Sequence, residues 1–368
     1  MTDSKQQSAL SKEQIDSVIA LYTAGQYQEA INQIKILNQS YPNTPFLFNL
    51  IGACYKSLGQ LEGSAKMFET AVNLKPDYAE AHKNLGITLK DLDQLDDAVE
   101  SLSEAIKIDP NYVDAHYNLA ITLKDLNQLD GAVKGYQRVI EINPNFAQAY
   151  NNLGNLMKDL GQTDDAIKNY QKAIEINPSF AHAYNNLGNA YKDLGQLKEA
   201  VTNYQKAIEK NPEFSEAHNN LGNAYKDLGE FDNAINGYQR AVNLDSNLYE
   251  AFYNLGVVFI QLKRFNESIQ FFQSAIEINP NFAQAYNNLG ITYKKKSNLN
   301  LAAKYAKKAI SLNSNYVEAY NNFIGFKFIH QIFLTNFVTF TCVIKYTFSY
   351  CCLTRVNMCA DANVSYVI

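Results

Sequence analysis

The residues in this chain best suited to recognition chemistry are carboxamides and imidazoles, and both recur at a fixed interval. Asn84, Asn118, Asn152, Asn186, Asn220, Asn254, Asn288 and Asn322 stand 34 residues apart. A carboxamide carries both donors and an acceptor, so a row of them can pair with successive peptide groups of an extended polypeptide. Asn155, Asn189 and Asn223 follow three of these, and Asp91, Asp125, Asp159, Asp193 and Asp227 recur with a lysine before each. His82, His116 and His218 share another point of the same period. Three histidines on one period read as occupants of an aromatic packing slot, and His182 lies at an exposed position. Catalysis requires one unique constellation, whereas a period multiplies ordinary ones. There is no phosphate-binding glycine loop, no nucleophile–histidine–carboxylate order and no metal-ligand spacing. The expectation is a non-enzyme without cofactor or metal.

The elements that must carry these residues follow from the period itself. Prolines at 42, 76, 110, 144, 178, 212 and 280 fall on one 34-residue grid, with Ser246 and Ser314 at the two missing points. Repeat boundaries set three residues after each grid point give 11–44, 45–78, 79–112, 113–146, 147–180, 181–214, 215–248, 249–282 and 283–316, with a tenth unit opening at Val317. Each unit reads as two helices. Apolar residues at positions 4, 7, 8 and 11, such as Tyr184, Leu187, Gly188 and Tyr191, form one stripe at helical spacing. Gly25, Gly59, Gly161, Gly195 and Gly229 at position 15 suit a left-handed residue ending the first helix; Asp93, Asn127, Lys263 and Ser297 stand there in other units. The second helix has Ala or Ser at position 20, an aromatic or leucine at 24 and usually Ala at 27. An Asn-Pro or Asp-Pro step closes most units. Small residues at positions 8 and 20 are expected to let the two helices cross closely, with neighbouring pairs burying each other's apolar surface.

This pattern resembles the tetratricopeptide repeat family. The motif L-G-x-x-Y followed by A-x-x-x-[FY]-x-x-A and proline is nearly intact in the units starting at 147, 181 and 215, with Tyr150, Tyr184 or His218 in place of the usual tryptophan. The resemblance covers residues 11 to 322 and implies an all-α, right-handed superhelical solenoid with a concave peptide-binding groove.

Positions 2, 6, 9 and 13 fall within a sector of about 60° opposite the packing stripe. That sector would line the groove. Position 6 holds its asparagine through eight repeats, while the outer face of the second helix drifts, position 22 reading Glu100, Lys134, Lys168, Thr202, Asn236, Gln270 and Lys304. The expected role is an asparagine ladder gripping the main chain of a protein segment, with Asp159, Asp193 and Asp227 favouring basic ligands. Because these side chains point away from the stripe, folding is expected not to need them. A row of asparagines at this position is similar to the array of O-linked N-acetylglucosamine transferases, which hold substrate polypeptides that way. Only 46 residues follow Asn322, too few for such a family's catalytic region, so binding rather than transfer carries over.

A net charge of −5 argues against nucleic acid as a partner. The polar segment 1–10 lacks the apolar core of a secretory signal, which favours the cytoplasm. Only Cys54 lies in the periodic region; Cys342, Cys351, Cys352 and Cys359 crowd into the last stretch. From Phe323 the grid fails, and residues 323–368 form an apolar, Phe- and Cys-rich tail. Three readings fit it: a frame-shift or read-through product, an irregular cap, or a membrane anchor across Phe328 to Ile344.

Overall fold

The structure is a computed structural model that describes residues 10–334. Among the described residues every regular element is a helix. The chain divides into two compact units, Met1–Pro212 and Glu213–Ile368, and the division falls two residues before a repeat boundary. The first unit contains α1 (Lys12–Thr23), α2 (Tyr27–Ser40), α3 (Pro45–Ser57), α4 (Leu61–Leu74), α5 (Ala79–Asp91) and α6 (Leu95–Ile108). It continues through α7 (Val113–Asp125), α8 (Leu129–Ile142), α9 (Ala147–Asp159), α10 (Thr163–Ile176), α11 (Ala181–Asp193) and α12 (Leu197–Lys210). The second unit contains α13 (Ser215–Asp227), α14 (Phe231–Leu244), α15 (Tyr249–Gln261), α16 (Phe265–Ile278), α17 (Ala283–Lys295), α18 (Leu299–Leu312) and α19 (Val317–Leu334). Each 34-residue unit thus supplies a first and a second helix, and each compact unit is a stack of such pairs.

Two local devices place the helix ends. Position 15 adopts positive φ in every complete repeat, at 72–78° where it is glycine and at 58–61° for Asp93, Asn127, Lys263 and Ser297. The residue before the grid proline closes the second helix with a side-chain turn. Asp109 Oδ1 accepts from the Asn111 amide, and Asn143, Asn177, Asp245, Asn279 and Asn313 accept in the same way from the residue two further on. Asp245 and Asn313 keep this bond although Ser246 and Ser314 have replaced proline, so the carboxamide or carboxylate rather than the ring carries the turn.

The close crossing of the two helices has a more specific cause than two small residues meeting. In five repeats the ring at position 24 packs directly against the glycine at position 8. A β-carbon on Gly188 would sit 2.6 Å from the Tyr204 ring; on Gly154 and Gly222 it would sit 2.7 Å from Tyr170 and Tyr238. Gly52 and Gly256 meet Phe68 and Phe272 in the same way. The one repeat with alanine at position 8, Ala120, has Gly135 opposite, where an added β-carbon would lie 2.8 Å from that of Ala120. Position 20 also matters, because its side chain reaches the carbonyl of position 8. Ser64 Oγ donates to Gly52 O at 2.7 Å and Ser268 Oγ to Gly256 O at 2.9 Å. Between repeats, Leu187 of α11 is buried with Ala166 and Tyr170 of α10, as the apolar stripe requires.

The helix α19 continues through Leu334, past Phe323 where the repeat pattern breaks. Residues 335–368 lie outside the described residues, and with them most of the candidate membrane span and the four late cysteines, as do residues 1–9. Among the described residues no helix is long and apolar enough to cross a membrane.

Two substitutions test this packing. Gly188→Ala should destabilise by about 1–3 kcal/mol, since the methyl must displace a buried ring, read as a shift in the denaturation midpoint. Lys263→Gly should stabilise by about 1 kcal/mol, because it relieves a left-handed β-carbon at an exposed turn. An unchanged or lowered midpoint for that variant would show that the turn is not strained.

Candidate interaction face

The first helices of successive repeats touch one another directly: α3 with α5, α5 with α7 and α9 with α11 in the first unit, and α13 with α15, α15 with α17 and α17 with α19 in the second. The first-helix face is therefore the more closely packed, inner side of each stack. The asparagines expected to line it do stand there, half-buried, but most of them already hold a partner.

Asn84 Nδ2 donates to Asn49 Oδ1 at 3.0 Å, Asn186 to Asn151 at 3.0 Å, Asn254 to Asn219 at 3.1 Å and Asn322 to Asn287 at 2.9 Å. Asn152 and Asn288 donate instead to the hydroxyls of Tyr117 and Tyr253, at 2.8 and 2.9 Å. Every one of these bonds links position 6 of a repeat to position 5 of the repeat before. Where position 5 is Lys83, which offers no acceptor, Asn118 turns back to the Asp114 carbonyl at 2.7 Å. Asn220 occupies the equivalent place on α13. The acceptors Asn49, Asn151, Asn219 and Asn287 are buried. Removing the donor at position 6 would leave a buried oxygen without its bond, which is costly. The expectation that folding does not need these side chains is thus corrected: the ladder joins neighbouring repeats. A single-helix view missed this because the partner lies 35 residues away; the clue was the recurrence of Asn or Tyr at position 5.

Asn155, Asn189 and Asn223 have a second internal duty. Their Oδ1 atoms accept from the hydroxyls of Tyr170, Tyr204 and Tyr238, at 2.8, 2.7 and 2.8 Å. These are the rings that rest on the position-8 glycines. Repeats with Phe68, Leu102 or Phe272 at position 24 have Ala53, Ile87 or Val257 at position 9. Burial, reinforced by nearby Asp159 and Asp227 respectively, pushes the Tyr170 and Tyr238 hydroxyls well above the usual tyrosine range, so they remain donors.

The aspartates are also partnered. Asp91 pairs with Lys56 of the preceding repeat at 3.0 Å, Asp193 with Lys158 at 3.2 Å and Asp159 with Lys124 at 3.9 Å, while Asp227 lies 3.7 Å from Lys226. The negative surplus expected at Asp159, Asp193 and Asp227 is offset by a lysine at each. His82 and His116 lie half-buried against backbone, their Nε2 atoms 3.0 Å from the carbonyl oxygens of Pro76 and Pro110. Among the described residues no group of three His, Cys, Asp or Glu side chains could hold a metal ion. Cys54 is buried, and desolvation raises its thiol to about 11.

An open cavity of about 760 Å³ lies in the first unit, where α1, α3 and α5 face one another. Ile19, Tyr22, Phe46 and Leu50 supply an apolar wall; Asn49, Glu80, Lys83 and Asn84 supply a polar one. Of the residues singled out from sequence, Asn84 alone lines it. The missed signal is an apolar residue on the polar sector. Phe46 stands at position 2, where later repeats carry Glu80, Asp114, Gln148, His182 or Glu216, whereas Ile19 at position 9 has apolar counterparts in Ile87, Ile121, Val257 and Ile291.

The inter-repeat bonds are testable. Asn186→Ala should lower stability by about 1–3 kcal/mol, because it strands the Asn151 oxygen. Replacing both Asn186 and Asn151 by alanine should cost less than the sum of the two single changes, a coupling readable in a double-mutant cycle. Additive losses would mean that the bond contributes nothing.

The comparisons with known proteins agree with this architecture. A family profile described as the cilia and flagella-associated protein 70 C-terminal domain matches residues 114–331, more than half of the chain. A second, described as a TPR repeat, matches residues 52–93 and 88–126. No curated protein matches. Among solved structures, MamA is 31% identical and covers 45% of this chain and 97% of its own, with a TM-score of 0.42. YrrB, described as a TPR protein with an unusual peptide-binding site, is 30% identical, covers 52% of this chain and 98% of its own, and has a TM-score of 0.43. The APC/C hetero-tetramer Cut9–Hcn1 is 16% identical over 81% of this chain and 58% of its own, with a TM-score of 0.56, a likeness of fold. With period, helix pairing and both profiles in accord, the chain belongs to the tetratricopeptide repeat family.

Proposed function

We propose that this chain is a non-catalytic protein-interaction scaffold whose first-helix face holds extended polypeptide segments. The observation that carries this reading is the cavity between α1, α3 and α5, where exposed apolar side chains adjoin the start of the asparagine ladder. Ile19 is 38% exposed although it faces the inner side of the stack, and Phe46 is half-buried beside it. Apolar atoms left open beside fixed polar groups suit a ligand that brings one apolar side chain and a main chain.

The ladder supports main-chain recognition in a way consistent with its internal bonds. A carboxamide has two N–H groups and an acceptor oxygen. The inter-repeat bond of Asn84, Asn186 or Asn254 uses one N–H. The remaining capacity lies on a half-buried face, held in register by the bond already made. In the first unit the row runs through Asn84, Asn118, Asn152 and Asn186; in the second it runs through Asn220, Asn254, Asn288 and Asn322. Each contact to a peptide group should contribute about 0.5–1.5 kcal/mol, so affinity would come from several together. Side-chain selectivity would come from the apolar wall at Phe46 and Ile19.

The test is selection of a peptide from a displayed library against the full chain, then titration of that peptide. Phe46→Ala should weaken binding about tenfold, as the loss of an aromatic anchor does, with little change in helicity. Backbone N-methylation of the bound peptide residues removes N–H donors without altering side chains. It should cost at least several-fold in affinity, and an unchanged affinity would sink main-chain recognition. Retention of full affinity by Phe46→Ala would sink the cavity as the anchor.

A further inference from the structure

We infer that the turn edge of the last two complete repeats, carrying Lys263, Lys295 and Lys296, is a docking site for a short acidic protein segment. This edge lies where the first helix hands over to the second, and the inference stands independently of the reading of the first-helix face.

Three observations converge on it. The repeat 283–316 has six lysines and no acidic residue, and none occurs between Glu277 and Glu318, in a chain whose net charge is −5. Position 13, aspartate in five repeats, is Lys295 here. Elsewhere along this edge cations are paired: Lys56 with Asp91, Lys158 with Asp193, Lys226 with Asp227. Lys263 and Lys295, both exposed, form no ion pair among the described residues.

The second observation is conformational. Lys263 holds the left-handed turn position at φ 58°, and Ser297 holds it at φ 61° in the next repeat. Five other repeats use glycine there. Keeping a lysine at a place where glycine costs less is a strain that packing does not require, and such strain gathers at working sites. Third, Lys296 Nζ donates to Asn266 Oδ1, which brings the two turns side by side.

The size and surroundings of the patch select the partner. Two neighbouring repeats span roughly 20 Å at ordinary helix spacing, the reach of about six extended residues. The adjoining repeat of the same unit presents Asp227, Glu230 and Asp232 on its own turn. A membrane surface or a nucleic acid would have to lie across those acids, whereas a short acidic segment can end before them. Attraction of this exposed kind speeds encounter and fades with salt.

The experiment uses the full chain and a fluorescein-labelled peptide of alternating Glu and Ser, followed by anisotropy at ionic strengths of about 0.05 and 0.15 M. The wild type should bind, more weakly at the higher salt. Lys263→Gln/Lys295→Gln/Lys296→Gln should lose about tenfold or more. Lys304→Gln/Lys307→Gln/Lys308→Gln removes the same charge from the exposed face of α18 and should stay within about twofold. Equal losses in the two variants would overturn the site, because net charge alone would then explain binding. So would a silent wild type, or tighter binding to phosphatidylserine vesicles or a single-stranded oligonucleotide than to the peptide. Lys263→Gly guards against misfolding as an explanation: it should bind the peptide several-fold more weakly while unfolding at a higher temperature. Undiminished binding by that variant would remove the turn lysine from the site.

Discussion

In five repeats an aromatic ring occupies the space in which a glycine's β-carbon would lie, 2.6–2.7 Å from the nearest ring atom. Much else in the chain depends on that contact. The ring can lie there only if the two helices of the pair come close, which forces Ala or Ser at position 20 and lets Ser64 and Ser268 reach the glycine carbonyls. Where the ring is tyrosine, its hydroxyl enters a buried place and needs a partner. Asn155, Asn189 and Asn223 provide it. A single helix pair still leaves the far side of Leu187 or Leu153 open, so the pair is stable only in a stack.

The stack is fixed by a second, polar step. Burial of Leu187 against Tyr170 favours neighbouring pairs in general, but apolar contact tolerates sliding. The bond from position 6 to position 5 of the preceding repeat does not, because a shift of one residue leaves Asn151 or Asn219 buried without a donor. Apolar contact thus supplies the drive and the carboxamides supply the register. The two terms also explain why Asn118 is the exception: beside Lys83 no acceptor exists, and its amide returns to its own helix.

The parts legible in the sequence were those set by one repeat alone. The helix pairs, the proline grid and the left-handed residue at position 15 are local consequences of residue type, and even Lys263 and Ser297 take the conformation that their position demands. The placing of Asn186 on the inner face was also legible. Its bond to Asn151 was not, because a helical sector describes one cylinder and says nothing of what stands beside it. The same limit hid the pairing of Lys158 with Asp193 and the duty of Asn189 to Tyr204. The apolar cavity could have been found, since Phe46 interrupts a polar row at position 2, but attention to what repeats draws the eye from what departs.

That contrast bears on where function lies in a repeat protein. Residues that recur are mostly consumed by the scaffold: rings need glycines, hydroxyls need carboxamides, and Lys56, Lys124 and Lys158 pair with the next repeat's aspartate. Whatever distinguishes one place on the surface from another must come from interruptions of the period. Near one end of the given sequence the interruption is apolar, with half-buried Phe46 lining the cavity beside Asn84. In the last complete repeats it is cationic, with Lys263 and Lys295 standing where glycine and aspartate usually stand. Neither substitution improves packing, and Lys263 works against its own backbone. Each is tolerated because a solenoid spreads its stability over many local contacts, so a single repeat can give up a favourable residue without unfolding its neighbours. The repetition that makes the scaffold is therefore also what makes such departures affordable.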